Sequence, residues 1–127
     1  MTWSRAHWVV GVLTLIIFPL SGMYMLHFAG VPTLDSIPRL VFRSRHLFLL
    51  ASAVANLAMA AGEPTHVTQK VASALILLAP FSLLAAFFID AGRGINGSAA
   101  FHLPLYGLFV AGVLLAISNR PGKRKTV

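Results

Sequence analysis

Four apolar segments alternate with short polar ones along the chain. The apolar segments cover residues 8–28, 46–62, 71–89 and 99–118. An α-helix needs roughly 20 apolar residues to cross a hydrocarbon core about 30 Å thick, and only the second segment is clearly shorter than that. Helices that cross in succession run in opposite directions. The pattern therefore predicts an all-α membrane protein, a single domain built as an antiparallel bundle of four transmembrane helices.

The polar segments have the composition of connections. Residues 29–45 contain Gly30, Pro32, Asp35 and Pro38 and predict a loop followed by an interfacial stretch. Residues 63–70 form a compact polar turn, and 90–98 are rich in glycine. The last segment, 119–127, is a basic tail.

Composition supports lipid as the main solvent. The 127 residues are 57% hydrophobic and 10% charged, whereas about 25% charged residues is usual for soluble domains. Four spans leave no room for a separate soluble domain. Cysteine is absent, which excludes disulfides, thiolate metal sites and a cysteine nucleophile.

The net charge of +7 is placed in a way that favours membrane lipids as partners and not nucleic acid. The basic residues lie at the ends of apolar segments and in the tail. With four spans, one side collects Arg5, Lys70, Arg120, Lys123, Arg124 and Lys125, and the other Arg39, Arg43, Arg45 and Arg93. The positive-inside rule then predicts that both termini lie in the cytoplasm.

Two helix faces are predicted to pack. In the second span Ser52, Asn56 and Ala60 recur every four residues, and small residues on one face let a neighbouring helix approach closely. Gly11 and Gly22 share a stripe of the first span with His7, Thr14, Phe18 and Met25. Asn56 is the strongly polar residue deep in a span, and we expect it to bond another helix through Ser73 or Ser82.

The predicted topology brings ionisable residues together at one membrane face, which we call the polar lip. Its members are His27, Arg43, Arg45, His46, Asp90, Arg93 and His102. They are either ordinary interfacial anchors or a functional group, because charge at membrane depth is costly. Arginine forks suit an anionic group, so Arg43, Arg45 and Arg93 are candidates for holding a lipid phosphate, a quinone headgroup or a partner. Asp90 is expected to pair with Arg43 or Arg45.

The histidines of the polar lip are the candidate cofactor ligands. His27, His46 and His102 with Asp90 contain suitable ligand types for copper or zinc, and a haem would most simply lie between His46 and His27 or His102. Their spacing matches no metal motif. The sequence assures no cofactor and leaves haem and copper open.

A resemblance is carried by three segments: SGMYMLHF in the first span, RSRHLFLLASAVANLAMA in the second and LLAPFSLLAAFFID in the third. Together they resemble small four-span bacterial inner-membrane proteins of unassigned function, which implies four spans and grouped polar residues but no reaction. The histidine after an arginine, Arg45 and His46, more weakly resembles the membrane-anchor subunits of succinate dehydrogenase and related cytochromes b. That likeness implies haem ligation.

Two functions follow as hypotheses. The first is a non-catalytic accessory or assembly subunit that packs with itself or a larger membrane complex and holds lipid or a partner at the polar lip. The alternative is a redox subunit that binds haem, copper or quinone through His27, His46 and His102. An enzyme has little support, because no phosphate loop, HExxH or serine, histidine and acid arrangement is evident.

Overall fold

The chain folds into helices. A computed structural model describes residues 2–89 and 99–118, and these form α1 (Trp3–His27), α2 (Ser36–Met59), α3 (Val67–Ile89) and α4 (Ala99–Ser118). A 3₁₀ turn covers Val31–Thr33, and no strand occurs in these two ranges. The all-helical prediction is confirmed. Three of the helices, α1, α3 and α4, contain stretches long and apolar enough to cross a membrane.

Helix α2 differs from its prediction. It begins at Ser36, well before residue 46, so the interfacial stretch predicted to follow the loop belongs to the same helix. Pro38 suggested a loop, but it lies in the first helical turn, where backbone amides have no intrahelical acceptor and proline costs little. Arginine is a good helix former, so Arg43 and Arg45 continue the helix while lowering its hydropathy. Helix α2 is accordingly not among the three sufficiently apolar helices.

The turn between α1 and α2 is short and well bonded. The amides of Phe28 and Ala29 both donate to Tyr24 O at 3.0 Å. Gly30 has φ +58°, a left-handed conformation that glycine adopts without steric cost. The guanidinium of Arg39 donates back to Leu34 O. These hydrogen bonds fix the direction in which α2 starts relative to the end of α1.

Helix α2 lies between α1 and α3, and α4 packs mainly against α3. The larger apolar cluster joins the 3₁₀ turn to three helices through Val31, Phe42, Leu49, Leu83, Ala86, Phe87 and Phe101. A smaller cluster contains Ala72, Ile76 and Ala111. Within the described residues, α1 adds mostly small and polar residues to the interior, His7, Gly11, Thr14 and Ser21.

The α1–α2 contact is close at both glycines named from the sequence. A Cβ at Gly11 would lie 2.8 Å from Leu57 Cγ and 3.1 Å from Leu57 N, so the two backbones are nearly touching there. Gly22 lies beside the His46 ring. Ser52 and Asn56 are fully buried, and Ala60 O accepts from Ser4 Oγ at 2.6 Å. These faces pack within the chain itself.

We predict that Gly11→Ala destabilises the protein relative to Gly112→Ala. Both changes remove a helical glycine and gain the same helix propensity, but only the Gly11 methyl meets a neighbour, since nothing lies within 4 Å at Gly112. Overpacking of this kind costs about 1–3 kcal/mol. Thermal and denaturant unfolding of the detergent-solubilised protein measures the difference. Equal stabilities for the two variants would show that α1 and α2 are farther apart than described here.

Candidate functional site

A buried polar cluster, which we call the His7 cluster, connects α1, α2 and α3. His7 Nδ1 lies 2.8 Å from Asn56 Oδ1, and His7 Nε2 lies 2.5 Å from Ser73 Oγ. Asn56 Nδ2 donates to Ser52 O at 2.9 Å and to Ile76 O at 3.0 Å. The four side chains of His7, Ser52, Asn56 and Ser73 are 0% exposed. Three helices therefore share one closed set of hydrogen bonds.

The partners determine the direction of each bond. Carbonyl oxygens only accept, so the Asn56 group facing Ser52 O and Ile76 O must be the amide nitrogen. Asn56 Oδ1 then faces His7 and accepts, which places a hydrogen on His7 Nδ1. In the neutral ring Nε2 carries the lone pair, and the Ser73 hydroxyl donates to it. Every polar atom of the His7 ring is satisfied.

Helical spacing explains why these residues meet. His7 is one turn before Gly11, whose missing side chain lets α2 approach the same face of α1. Asn56 is one turn after Ser52, and Ser73 and Ile76 are one turn apart in α3. The loop after α2 tightens this end, because the Glu63 carboxylate accepts from the amides of Trp3 at 3.2 Å and Ser4 at 3.0 Å. Those amides belong to the first turn of α1 and have no intrahelical acceptor.

The His7 cluster has the order of a nucleophilic triad, with a serine hydroxyl on Nε2 and an orienting group on Nδ1. Two features oppose catalysis. Ser73 is 0% exposed, so a substrate carbonyl has no route to Oγ. Ser73 also lies inside α3, where its amide belongs to the helical hydrogen-bond ladder and is not available to stabilise an oxyanion. The arrangement is suited to joining helices.

His46 is the centre of a second cluster at the opposite end of the α1–α2 contact. Its ring stacks on Phe18 with centroids 4.0 Å apart, and its Nδ1 lies 2.9 Å from Ser21 Oγ. The Ser21 hydroxyl donates to Phe18 O at 2.8 Å, so its oxygen accepts from His46 Nδ1–H. His46 is half-buried, and Nε2 makes no hydrogen bond to any described residue.

The other described members of the predicted polar lip have different surroundings. Arg45 is 5% exposed and its guanidinium lies 3.7 Å above the Phe101 ring, a cation–π contact. Arg43 is exposed. His102 stacks near Tyr106, with ring centroids 6.4 Å apart, and His27 is the exposed last residue of α1. Arg45 is therefore buried against α4, and its role in holding an anionic group or a partner stays a prediction.

The cofactor hypothesis remains a prediction. Asp90 and Arg93 lie outside the described residues, as does the basic tail over 119–127. Among residues 2–89 and 99–118, no group of three or more histidine, aspartate or glutamate side chains could hold a metal ion. The set His27, His46 and His102 is thus not assembled as a three-histidine metal site in these ranges.

Comparison with protein-family models, curated proteins and solved structures finds no match for the chain. Its function must be argued from its own residues. The joint role of His7 and Ser73 was not predicted from the sequence, although two of its features indicate that these residues meet. His7 lies on the predicted packing stripe of α1, and four alternating spans place the start of α1, the end of α2 and the start of α3 at the same end of the bundle.

We predict strong coupling between His7 and Asn56 in a double-mutant cycle. Either alanine substitution alone leaves the other residue with an unsatisfied buried polar group, which costs about 1–3 kcal/mol. The second substitution removes that unsatisfied group, so the double variant should lose less stability than the sum of the two single variants. The coupling energy should be about 1 kcal/mol in unfolding measurements.

The matched control for this cycle is Thr14→Ala combined with Asn56→Ala. Thr14 is also buried in α1, but its hydroxyl donates to Val10 O of its own helix at 2.7 Å. The control pair should be additive. Additive losses for His7 and Asn56 as well would contradict the hydrogen bond between them.

Proposed function

We propose that this chain is a non-catalytic integral membrane protein, an accessory or assembly subunit that packs with itself or a larger membrane complex and holds lipid at its arginine- and histidine-bearing end. In this proposal all four helices cross a bacterial inner membrane as an antiparallel bundle. One observation carries it: apolar side chains are on the outside of the helices, and buried polar side chains bond one another inside. That distribution suits a lipid solvent.

Helix α1 is the clearest example. The residues it buries are His7, Gly11, Thr14 and Ser21, whereas Leu13 is 53%, Ile16 53% and Leu20 57% exposed. In water this would leave a large apolar surface uncovered, which monomeric soluble proteins rarely tolerate. In a bilayer the same surface is solvated by acyl chains.

Helix α2 would be the fourth crossing despite its arginines. Residues 46–59 alone extend only about 21 Å, at 1.5 Å per residue, short of a ~30 Å core. Residues 41–59 would extend about 28 Å. Within this longer stretch Arg45 is sheltered on Phe101, and exposed Arg43 can extend its guanidinium toward the headgroups. The contact of Arg45 and the exposure of Arg43 both support a full crossing.

Inter-helix contacts support the antiparallel arrangement. Ser4 contacts Ala60, His7 contacts Asn56, and Ser21 contacts His46, so early residues of α1 meet late residues of α2. The start of α1 and the end of α2 then share one membrane side with Arg5, Lys70 and the basic tail. The positive-inside rule places that side in the cytoplasm.

Association with another helix is supported by a groove between α2 and α4. Its walls include Ala51, Ala55 and Ala58 on α2 and Leu108 and Gly112 on α4, with Ile76 of α3 between them. Small residues permit close helix approach, which favours packing in lipid. This face of α2 is distinct from Ser52 and Asn56, which are already used inside the chain.

We predict that filling the groove weakens association. The double variant Ala51→Leu with Ala58→Leu should lower the oligomeric fraction several-fold in nanodiscs or mild detergent, because added side chains occupy the space a partner helix needs. The control is Ala85→Leu, an exposed alanine of α3 outside the groove. Chemical crosslinking in membranes and mass measurement in solution report the assembly. A wild-type chain that stays monomeric at every protein-to-lipid ratio, and is found in no larger complex, would refute the assembly role.

The redox alternative is favoured by one feature, the His46 ring. Its Nδ1–H is held by Ser21 and its Nε2 is unoccupied, an arrangement typical of histidines that ligate metals. Haem, copper or quinone bound through His46 with His27 or His102 would turn the chain into an electron-transfer subunit.

We expect the purified protein to show no Soret band and no stoichiometric copper or zinc. We also expect no labelling of Ser73 by a serine-directed fluorophosphonate, because the hydroxyl is 0% exposed and already donates to His7. Absorbance, metal analysis and mass spectrometry of tryptic peptides test these expectations on one sample. A Soret band or bound metal would favour the redox alternative, and specific Ser73 labelling would favour a hydrolase.

A further inference from the structure

We infer that the end of the α1–α2 contact near His46 is a binding site for an anionic glycerophospholipid whose headgroup carries a free hydroxyl, such as phosphatidylglycerol. The site combines the Arg43 guanidinium and His46 Nε2, neither of which has a hydrogen-bond partner among the described residues, with the space beside Gly22. This inference rests on the proposed membrane function and names the lipid and the residues that select it.

Arg43 supplies the charge. It is exposed on α2 and makes no hydrogen bond or ion pair with any described residue, whereas Arg39 donates to Leu34 O and Arg45 lies on Phe101. A guanidinium offers a planar fork of donors that matches two phosphate oxygens. Among these three arginines of α2, Arg43 is the exposed one, and its whole fork of donors has no partner among the described residues.

A cavity of about 160 Å³ lies next to Arg43. It is lined by Gly22, Met25, Leu26, Val31, Pro32 and Arg43, from the last turns of α1, the 3₁₀ turn and α2. Five of the six lining residues are apolar or glycine, so the cavity suits the glycerol backbone and the first methylenes of an acyl chain. Leu26 is 58% exposed, which continues the apolar surface along α1 toward the membrane core.

His46 supplies a hydrogen-bond acceptor beside the same space. Because its Nδ1–H donates to Ser21, the neutral ring presents a lone pair at Nε2. A Cβ at Gly22 would lie 3.3 Å from His46 Cε1 and 3.6 Å from Nε2, so this edge of the ring adjoins Gly22, which itself lines the cavity. A lone pair there selects a group that donates, and a headgroup hydroxyl does so.

The two requirements together define the lipid. Arg43 needs a phosphate anion and His46 needs a hydroxyl donor. Phosphatidylglycerol has both, phosphatidylmethanol is a phosphodiester with the same single charge but no hydroxyl, and phosphatidylcholine has neither a net charge nor a hydroxyl. The site lies near the end of α1, where the proposed topology places lipid headgroups.

The test is native mass spectrometry of the full chain in detergent, titrated separately with these three lipids. Phosphatidylglycerol should bind at least about tenfold more tightly than phosphatidylcholine, with phosphatidylmethanol between them. Arg43→Gln should weaken phosphatidylglycerol binding about tenfold, since one charge-assisted bidentate contact is lost. His46→Phe, which keeps an aromatic ring for Phe18, should reduce phosphatidylglycerol affinity to that of phosphatidylmethanol and leave phosphatidylmethanol affinity unchanged.

Matched variants distinguish binding at this site from a general electrostatic attraction of anionic lipids to the protein. Arg5→Gln removes an exposed arginine at the other end of α1 and should leave binding unchanged. Gly22→Ala should weaken binding by crowding Nε2, whereas Gly107→Ala, whose methyl would be in ordinary contact with Leu75 at 3.7 Å, should not. If Arg5→Gln and Arg43→Gln have equal effects, the preference is diffuse electrostatics and the site is refuted. If His46→Phe weakens both anionic lipids equally, the hydroxyl contact is wrong.

Two further arms complete the experiment. Inorganic phosphate and glycerol phosphate should not displace the lipid at equal concentration, and displacement would assign the site to a soluble phosphate compound. The oligomeric fraction and membrane retention of Arg43→Gln should equal those of the wild type. If Arg43→Gln loses lipid selectivity but stays in the membrane, the result supports the lipid site. If Arg43→Gln keeps both its selectivity and its membrane retention, the lipid site is refuted and the proposed function is not affected. Failure of the wild-type chain to remain in membranes refutes the proposed function.

Discussion

The hydrogen bonds of His7 are the constraint on which the relative positions of α1, α2 and α3 depend. Apolar surfaces fit one another in many registers, and in lipid they gain little by facing another helix instead of an acyl chain. A slip of α1 by one residue would leave the His7 ring, the Asn56 oxygen and the Ser73 hydroxyl unsatisfied in an apolar interior. Each orphan would cost about 1–3 kcal/mol. The polar bonds thus select one register among many of similar packing.

The close approach of α1 and α2 follows from the same constraint. A hydrogen bond of 2.8 Å between His7 and Asn56 requires the two backbones to come near, and Gly11 one turn on allows this by presenting no side chain to Leu57. Glu63 then satisfies the first amides of α1 from the following loop. The hydrogen bond, the glycine and the Glu63 cap act on successive parts of one contact, that of α1 with α2 and the loop after it.

Much of this fold could be predicted from the sequence, because long apolar runs and residues spaced by four encode helices and their faces. Gly11, Gly22 and Asn56 were identified in this way. The start of α2 at Ser36 was not predicted, because Pro38 and the arginines indicate a polar connection. Proline is nevertheless tolerated in the first turn of a helix, and arginine is tolerated throughout one. The cation–π contact of Arg45 with Phe101 was also unpredictable, because it depends on how α4 lies against α2 and α3. The hydrogen bonds of His7 were not predicted, because few ionisable residues lie at its end of the bundle and no polar cluster was expected there. A buried polar cluster does not require many charged residues.

The two histidine clusters differ in whether the second ring nitrogen has a hydrogen-bond partner among the described residues. Both rings have Nδ1 bonded across the α1–α2 contact, His7 to Asn56 and His46 to Ser21. At His7 the second nitrogen is taken by Ser73 and the ring is fully buried, so the cluster can only hold helices together. At His46 the second nitrogen has no described partner, the ring is half-buried, and it adjoins Gly22, which lines a cavity together with Arg43. The same residue type therefore joins three helices at one end of the α1–α2 contact and keeps a nitrogen without a described partner at the other.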